Sequence, residues 1–185
     1  MAIDDNQGVL RLPVKKLVVG GCRSGKSRYA EEFISKNFSE KIFVATLTAM
    51  GDKEMDHRIA LHRISRGEGW RTLEEPLALS RLLREHDGSA GIFLVDCLTM
   101  WLTNMLMADF LNTEIEAAVT ELRQAVTGLT SSVVLVANEV GMGIVPESSL
   151  GRRFRDLAGW TNQQLAEACA EVVFVAAGLP MRLKG

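Results

Sequence analysis

The amino-acid sequence predicts an α/β fold, in which helices flank a mostly parallel central sheet. Short, continuous runs of valine, leucine and isoleucine alternate along the chain with longer amphipathic segments. Such runs are typical of strands buried on both faces, which occur in parallel sheets covered by helices. At 185 residues, with 47% hydrophobic and 24% charged side chains, the chain is long enough to bury the core of one domain.

Each predicted element follows from a local pattern of apolar residues and turn signals. Strands are predicted at residues 17–19, 41–45, 70–73, 92–96, 132–137 and 172–176, and the final GLPMRLKG as a short edge strand. Pro76 is placed in the first turn of a helix that the pair Asp87 and Gly88 ends. Helices are predicted at residues 26–38, 53–65, 76–86, 98–107, 113–129 and 148–170.

The segment VVGGCRSGKS, residues 18–27, matches the phosphate-binding pattern G-x-x-x-x-G-K-[ST] without a mismatch. Glycines allow the backbone N–H groups to converge on phosphate oxygens, and the following helix adds its positive dipole end. Lys26 can reach the terminal phosphates and the Ser27 hydroxyl can ligate Mg²⁺. A chance glycine turn is the alternative, but the flanking strand and helix favour a phosphate site. The candidate residues are Gly20, Gly21, Cys22, Arg23, Ser24, Gly25, Lys26 and Ser27.

This motif divides the chain into residues 1–14, predicted as a flexible extension, and residues 15–185, predicted as a single nucleotide-binding domain. The formal net charge of −2 gives no electrostatic reason to expect nucleic acid as a partner. Three cysteines without paired spacing argue against a disulfide framework or a zinc site. Neither a membrane span nor a signal peptide is indicated, so we expect a cytoplasmic protein.

Asp96 closes the apolar strand 92–96, and two interpretations stay open for it. P-loop proteins place a second Mg²⁺-associated acid at such a strand end, and ligands gather at the carboxyl edge of a parallel sheet. The alternative is an N-cap of the following helix, a position that aspartate also favours. We favour the metal role because the strand end and the phosphate loop share one edge.

Arg58, His62 and Arg66 are spaced by four and stack along one face of the predicted helix if it extends that far. Neighbouring positive charge favours the neutral, nucleophilic imidazole, and the arginines could hold a polyphosphate. The alternative is a solvated cationic face without chemistry. His57 lies five positions before His62, which is not the spacing of an i, i+4 metal pair.

The loop NEVGMGIVP, residues 138–146, leaves another strand at the ligand edge. Its glycines, carboxylate and amide suit a substrate lid, although an ordinary strand-to-helix connection remains possible. The segment 98–106, which contains Trp101, is predicted as core or subunit contact rather than a cofactor site.

From Leu17 to Lys184 the chain resembles the bifunctional adenosylcobinamide kinase/adenosylcobinamide-phosphate guanylyltransferases of cobalamin biosynthesis. The resemblance is carried by GGCRSGKSRYAE, by the segment around His62, and by WRTLEEP, VDCLTMWLTN and NEVGMGIVPESSLGRRFRDLAGWTNQQLA. The loop motif is generic, whereas the His62 segment and the last segment are specific to this family. The chain departs from the family in its N-terminal extension and in small changes such as Cys22.

This resemblance implies a RecA-like P-loop fold and a homotrimer with active sites near subunit boundaries. It implies that ATP or GTP, with Mg²⁺, phosphorylates adenosylcobinamide. GTP then guanylylates a histidine, and the GMP passes to adenosylcobinamide-phosphate to give adenosylcobinamide-GDP. His62 falls on the guanylylated position. The other residues that the resemblance places at the nucleotide site are Thr46, Leu47, Thr48, Arg63, Ile64, Ser65, Arg66, Glu74 and Asp96.

Two rival functions are separable by experiment. A kinase for some other small alcohol would phosphorylate its substrate without forming a covalent nucleotide adduct. A regulatory module that binds and slowly hydrolyses GTP would need a guanine-reading segment of the NKxD type, and none is evident in the sequence. Neither rival explains the Arg58, His62 and Arg66 pattern or the loop 138–146.

Overall fold

The computed structural model describes residues 12–47 and 69–185. The described chain forms one seven-stranded sheet with the order β3-β2-β4-β5-β1-β6-β7. All neighbouring strands are parallel except β6 and β7, which pair antiparallel. The strands are β1 (Lys15–Gly20), β2 (Lys41–Ala45), β3 (Trp70–Glu74), β4 (Ile92–Asp96), β5 (Ser132–Asn138), β6 (Glu171–Ala176) and β7 (Leu179–Lys184).

The helices of the described residues lie close to the predicted ones. They are α1 (Lys26–Asn37), α2 (Leu79–Glu85), α3 (Leu98–Met107), α4 (Asn112–Gly128) and α5 (Ser149–Ala168). No helix in the described ranges is long and apolar enough to span a lipid bilayer. The helix predicted at 53–65 and most of the predicted N-terminal extension lie outside the described residues.

The predicted fold class is confirmed by the strand order. The strand β5 lies between β1, which carries the phosphate-loop motif at its end, and β4, which ends in Asp96. One strand therefore separates the strand of the phosphate-loop motif from the strand that ends in Asp96, within a mostly parallel sheet of the predicted α/β class. The final segment also forms the predicted edge strand, β7.

Alternating side chains divide the core into two faces of the sheet. On one face Val18, Leu94 and Val136 pack with Ala30 and Ile34 of α1. On the other face the helices α2 to α5 pack against side chains of the intervening positions, such as Leu17, Val95 and Leu135. All of these residues are at least nine-tenths buried, as the continuous apolar runs predict for a covered parallel sheet.

The strand β1 begins earlier than predicted, because two lysines are buried in it. Lys15 Nζ donates to the carbonyl oxygens of Leu129 and Ser131, each at 2.8 Å. Lys16 Nζ lies 3.3 Å from the centre of the Phe33 ring and 3.2 Å from the Glu171 carboxylate. Both ammonium groups therefore have partners inside the protein. A sequence pattern does not predict this, because a lysine is ordinarily read as an exposed residue.

The helix predicted from Pro76 instead begins at Leu79. Glu75 Oε1 accepts hydrogen bonds from the backbone N–H groups of Leu77, at 3.0 Å, and Ala78, at 2.8 Å. This side-chain contact fixes a turn after β3 and satisfies amides that would otherwise lie free at a helix start. The helix therefore starts after the turn rather than at the proline.

Asp87 fixes the turn between α4 and β5. Its carboxylate accepts hydrogen bonds from the backbone N–H groups of Thr130 and Ser131 at 2.8–3.1 Å and from the Thr130 hydroxyl. Burial raises the pKa of Asp87, but the hydrogen bonds from these residues outweigh it and lower the pKa from 3.8 to about 2. The contribution of this carboxylate to stability is therefore present above pH 3.8 and is lost as the pH falls towards 2.

We expect Asp87→Asn to flatten the decrease in stability over this acidic range, because the variant has no carboxylate to protonate there. The thermal midpoint measured from pH 5 to pH 2, a range set by ordinary and lowered aspartate pKa values, checks this. Asp109→Asn is the matched control, since Asp109 is an exposed carboxylate at positive φ that asparagine also adopts. An Asp87→Asn protein with the same pH profile as wild type would contradict the assignment.

Candidate functional site

The predicted phosphate loop connects β1 to α1 and forms one wall of a cavity of about 460 Å³. The loop is closed by a hydrogen bond of 3.2 Å from Ser24 N to Gly21 O. Gly25 occupies the N-cap position of α1 with φ 94°, a conformation that favours glycine. The cavity is lined by Arg23, Ser24, Gly25, Lys26, Ser27, Arg28, Ala177 and Gly178.

Lys26, the first residue of α1, directs its ammonium group back into the loop. Its Nζ donates to Gly21 O at 3.2 Å, and the residue is only 9% exposed. Ser27 follows in the first helical turn and lines the same cavity. An ammonium group, a hydroxyl and the N-terminus of a twelve-residue helix therefore meet at one point, where a phosphate would be stabilised.

Gly20 allows the backbone to approach its neighbours closely at the start of the loop. A Cβ atom at this position would lie 2.4 Å from the carbonyl oxygen of Val175 and 2.6 Å from Ser24 Oγ. The Ser24 hydroxyl is itself buried without a hydrogen-bond partner among the described residues. Glycine at position 20 is therefore required by the packing of β1 against β6, in addition to its place in the motif.

The second wall of the cavity is the turn between β6 and β7, which sequence analysis missed. Ala177 and Gly178 both have positive φ, 51° and 79°, as a two-residue hairpin turn requires. Gly178 N donates to Ser24 O at 2.8 Å, and a Cβ atom on Gly25 would lie 3.2 Å from Gly178 Cα. The available signal was a glycine, Gly178, two residues after the end of the predicted strand 172–176, which places it at the ligand edge.

The strand register places the other candidate residues at the same edge. Ala45 pairs with Glu74 on one side and with Asp96 on the other. Paired residues of parallel strands project to the same face, so the two carboxylates share the face that α1 covers. Asp96 is half-buried and Glu74 is exposed. The two acids thus lie at the same sheet edge as the phosphate loop, with Asp96 on β4, which only β5 separates from β1, and Glu74 on the edge strand β3.

The charges of Asp96 and Lys26 act on the same half-buried group, the Cys97 thiol. Burial raises the pKa of Cys97 and the negative charge of Asp96 raises it further, while hydrogen bonds and the positive charge of Lys26 oppose this rise. Cys97, rather than Asp96, occupies the N-cap position of α3, and within the described residues its side chain makes no capping hydrogen bond. This arrangement favours the ligand role of Asp96 over the helix-cap alternative.

Thr46 joins the end of β2 to the end of β4. Its hydroxyl donates to Cys97 O at 2.8 Å and accepts from Cys97 N at 2.9 Å. Leu47 follows, half-buried, at the end of the first described range. Of the other candidates, Thr48, His62, Arg63, Ile64, Ser65 and Arg66 lie outside the described residues, as do His57 and Arg58.

The helix α3, predicted as core or subunit contact, also holds several strand ends in place. Asn104 Nδ2 donates to Thr46 O at 2.7 Å and to Pro76 O at 3.0 Å. Trp101, which is buried in the core as predicted, donates from Nε1 to Leu77 O at 2.8 Å. Polar atoms of this helix therefore hold the residues that follow β2 and β3, at Thr46, Pro76 and Leu77.

The loop 138–146 is anchored by α5 and exposes apolar side chains. Arg155 donates to Gly141 O at 2.6 Å, and Arg152 donates to Pro146 O at 3.0 Å. Between these anchors Met142 is 80% exposed and Ile144 is 96% exposed. Exposed apolar side chains held on an anchored loop suit a contact with a large substrate or with another subunit.

Comparison with known proteins identifies close relatives over nearly the whole chain. The sequence profile described as "Cobinamide kinase / cobinamide phosphate guanyltransferase" matches residues 16–183. The bifunctional adenosylcobalamin biosynthesis protein CobP of Pseudomonas aeruginosa is 47% identical over 175 residues, which cover 93% of this chain and 98% of that protein. The bifunctional protein CobU of Escherichia coli is 40% identical over 184 residues, with 91% and 98% covered.

Among solved structures, a protein of Pyrococcus horikoshii OT3 superimposes with a TM-score of 0.57 at 10% sequence identity. The match covers 95% of this chain and 88% of that chain. At this level of identity the likeness concerns the fold alone.

We expect Gly20→Ala to lower the free energy of unfolding by about 1–3 kcal/mol, because the added methyl group would overlap a backbone oxygen. Denaturant unfolding of the purified protein measures this. Gly21→Ala is the matched control, since a Cβ atom there has no neighbour within 4 Å, and its change should stay within about 0.5 kcal/mol. Equal effects of the two substitutions would contradict the packing role of Gly20.

Proposed function

The chain belongs to the cobinamide kinase / cobinamide phosphate guanyltransferase family, and on this premise we propose that it catalyses two reactions of cobalamin biosynthesis. In the first, ATP or GTP phosphorylates the hydroxyl group of adenosylcobinamide. In the second, GMP passes from GTP to adenosylcobinamide-phosphate and gives adenosylcobinamide-GDP. The observation that carries the proposal is the phosphate loop with Lys26 inside it, at the same sheet edge as Asp96.

Both reactions need a triphosphate held in a fixed orientation. The backbone N–H groups of the loop and the N-terminus of α1 supply donors for the phosphates. Lys26 neutralises charge that develops during transfer. Since the loop is fixed to the β6–β7 turn by Gly178, these donors need little rearrangement when the nucleotide binds.

The residues present fit a bound Mg²⁺ ion. A hydroxyl at Ser27 and a carboxylate at Asp96 are oxygen donors of the kind that Mg²⁺ prefers, and phosphates and water complete such sites. When bound, Mg²⁺ would neutralise charge on the phosphate oxygens.

We propose His62 as the nucleophile of guanylyl transfer. An imidazole nitrogen forms a bond to the α-phosphorus of GTP while the bond to the β-phosphate oxygen breaks and pyrophosphate leaves. A phosphate oxygen of adenosylcobinamide-phosphate then displaces His62, so that one difficult transfer is divided into two displacements. The spacing of Arg58 and Arg66 around His62 supports this role, because guanidinium groups bind phosphate oxygens well.

The remaining nucleotide contacts and the assembly are part of the same proposal. We assign Thr46, Leu47, Thr48, Glu74 and the segment 63–66 to the nucleotide site, on the basis of the family positions that they match. We also propose a cytoplasmic homotrimer, supported by the exposed apolar side chains of the loop 138–146. A kinase without guanylyl transfer is the principal rival and differs in forming no covalent adduct.

Incubation with Mg²⁺ and GTP labelled at the α-phosphate should leave label on the denatured protein. The bond should be a phosphoramidate, labile in acid and stable in base, because an imidazole nitrogen is the nucleophile. GTP labelled at the γ-phosphate should leave no label, since pyrophosphate departs.

His62→Ala should lose this adduct, whereas His57→Ala, the neighbouring histidine, should retain it. Both variants should still bind GTP through the unchanged phosphate loop. An unlabelled wild-type protein, or label that persists in His62→Ala, would refute the assignment of His62.

Asp96→Asn should lower the rate of phosphorylation of adenosylcobinamide by roughly 100-fold or more, since charge stabilisation by a bound metal is worth several kcal/mol. Steady-state rates at several Mg²⁺ concentrations measure this. Asp156→Asn, which changes an exposed carboxylate on α5, is the control and should retain the wild-type rate. Normal Mg²⁺-dependent turnover in Asp96→Asn would show that this carboxylate does not act with the metal.

A further inference from the structure

The loop between β5 and α5 presents an uncharged apolar surface to solvent. Met142 and Ile144 are almost fully exposed, and Val145 is 59% exposed. The segment 140–146, VGMGIVP, contains no charged residue, although 24% of the chain is charged. Contiguous exposed apolar side chains mark a site of interaction, and a surface without charge does not attract phosphate groups. The segment therefore suits a ligand other than the nucleotide.

Hydrogen bonds hold this surface in a fixed conformation. The N–H of Gly141 donates to Glu139 Oε1 at 2.6 Å, and its carbonyl oxygen accepts from the Arg155 guanidinium at 2.6 Å. Arg152 donates to Pro146 O at 3.0 Å. Each of these bonds includes a charged group, and such bonds are stronger than those between neutral groups. The apolar side chains are therefore held outward by the anchored backbone of the loop.

Gly143 leaves bare backbone between the exposed side chains of Met142 and Ile144. Its φ lies outside the left-handed range that favours glycine, and a Cβ atom there would have no neighbour within 4 Å among the described residues. Neither the conformation nor the packing of the described residues therefore requires glycine at this position. Glycine also occurs where a ligand approaches the backbone closely. A flat ligand fits over bare backbone that has an apolar side chain on each side.

The strand register places this segment beside the phosphate loop. Asn138 pairs with Gly20, at which the phosphate loop begins, and the N–H of Glu139 donates to Gly20 O at 3.0 Å. Met142 follows Asn138 by four residues, so the two Cα atoms are at most roughly 14 Å apart. A ligand bound on the segment is therefore close enough for a flexible arm to extend to a triphosphate in the phosphate loop.

We propose that the segment 140–146 is the docking surface for the corrin ring of the acceptor, adenosylcobinamide, with the ring over Gly143 and against Met142 and Ile144. This inference rests on the proposed function. The acceptor is a broad, largely flat macrocycle with methyl groups and uncharged amides on its rim, and it carries the reacting hydroxyl on a flexible aminopropanol arm. Such a ring requires an uncharged apolar surface beside the triphosphate, and the arm spans the remaining distance.

Another subunit is the alternative occupant of this surface. The bare backbone at Gly143 favours the ring, because a contact between subunits buries side chains and gains nothing from a missing one. Val145 leaves exposed apolar surface for a subunit boundary beside the ring.

Ile144→Ser tests the apolar contact. The Kd values of adenosylcobinamide and of the β,γ-imido analogue of GTP with Mg²⁺ would be measured separately by calorimetry on the whole protein. The Kd of the corrinoid should rise by about 10-fold or more, as expected when one large apolar side chain is no longer buried by the ligand. The Kd of the GTP analogue should stay within about 3-fold of wild type. Leu183→Ser, which changes an exposed leucine of β7, is the matched control and should leave both values unchanged.

Gly143→Ala tests the bare backbone. The added methyl group should raise the Kd of the corrinoid by about 5-fold or more, because it occupies space that the ring needs. The thermal midpoint should equal or exceed that of wild type, since alanine restricts the unfolded chain where the native φ permits it. Gly128→Ala at the end of α4 is the control, because a Cβ atom there also has no neighbour within 4 Å among the described residues, and it should leave the Kd unchanged.

Three results would overturn the proposal. The first is an unchanged Kd of the corrinoid in both loop variants. The second is equal weakening of corrinoid and GTP analogue, and the third is a loss of oligomeric state in light scattering with an unchanged Kd of the corrinoid, which would assign the loop to a subunit contact. Failure of the proposed function is distinguished in the wild-type protein, which would then neither bind nor phosphorylate adenosylcobinamide.

Discussion

The parallel pairing of β1 with β5 and β6 determines where the functional groups of this protein lie. Because the register joins Gly20 to Asn138 on one side and to Val175 on the other, the loops after all three strands emerge at one edge. The close contact at Gly20, which leaves no room for a Cβ atom, depends on the same pairing. A shift of one residue would turn every side chain of a strand to the opposite face and dismantle the site.

Buried polar side chains near the carboxyl edge of the sheet hold the strand ends in this arrangement. Thr99 and Asn104 belong to a helix whose neighbouring residues are nearly all apolar, yet both direct polar atoms to backbone groups at strand ends. Buried hydrogen bonds of this kind contribute modest net stability, but their loss would leave buried backbone groups unpaired. We interpret α3 as the element that holds β2 and β5 in register with each other at the nucleotide edge.

The sequence predicts those parts of the structure that depend on local patterns. The phosphate loop has fixed spacing, and buried parallel strands have continuous apolar runs, so both are found in the sequence and in the structure. The buried Lys15 and the late start of α2 were missed because each depends on a partner distant in sequence or on a side-chain contact in a turn. The wall formed by Ala177 and Gly178, like the position of Asn138 beside Gly20, emerges only when strands are placed side by side.

The central claim is that one phosphate loop serves both reactions, and the activity of Lys26→Ala tests it most directly. The rates of adenosylcobinamide phosphorylation and of guanylyl transfer from GTP would be measured on the same preparation. Lys36→Ala, which changes an exposed lysine in the last turn of α1, would be the control. The account predicts that both rates fall by roughly 100-fold or more in Lys26→Ala, as expected for the loss of a charge at the reacting phosphates. Guanylyl transfer at the wild-type rate alongside lost kinase activity would contradict it and would indicate a second nucleotide site.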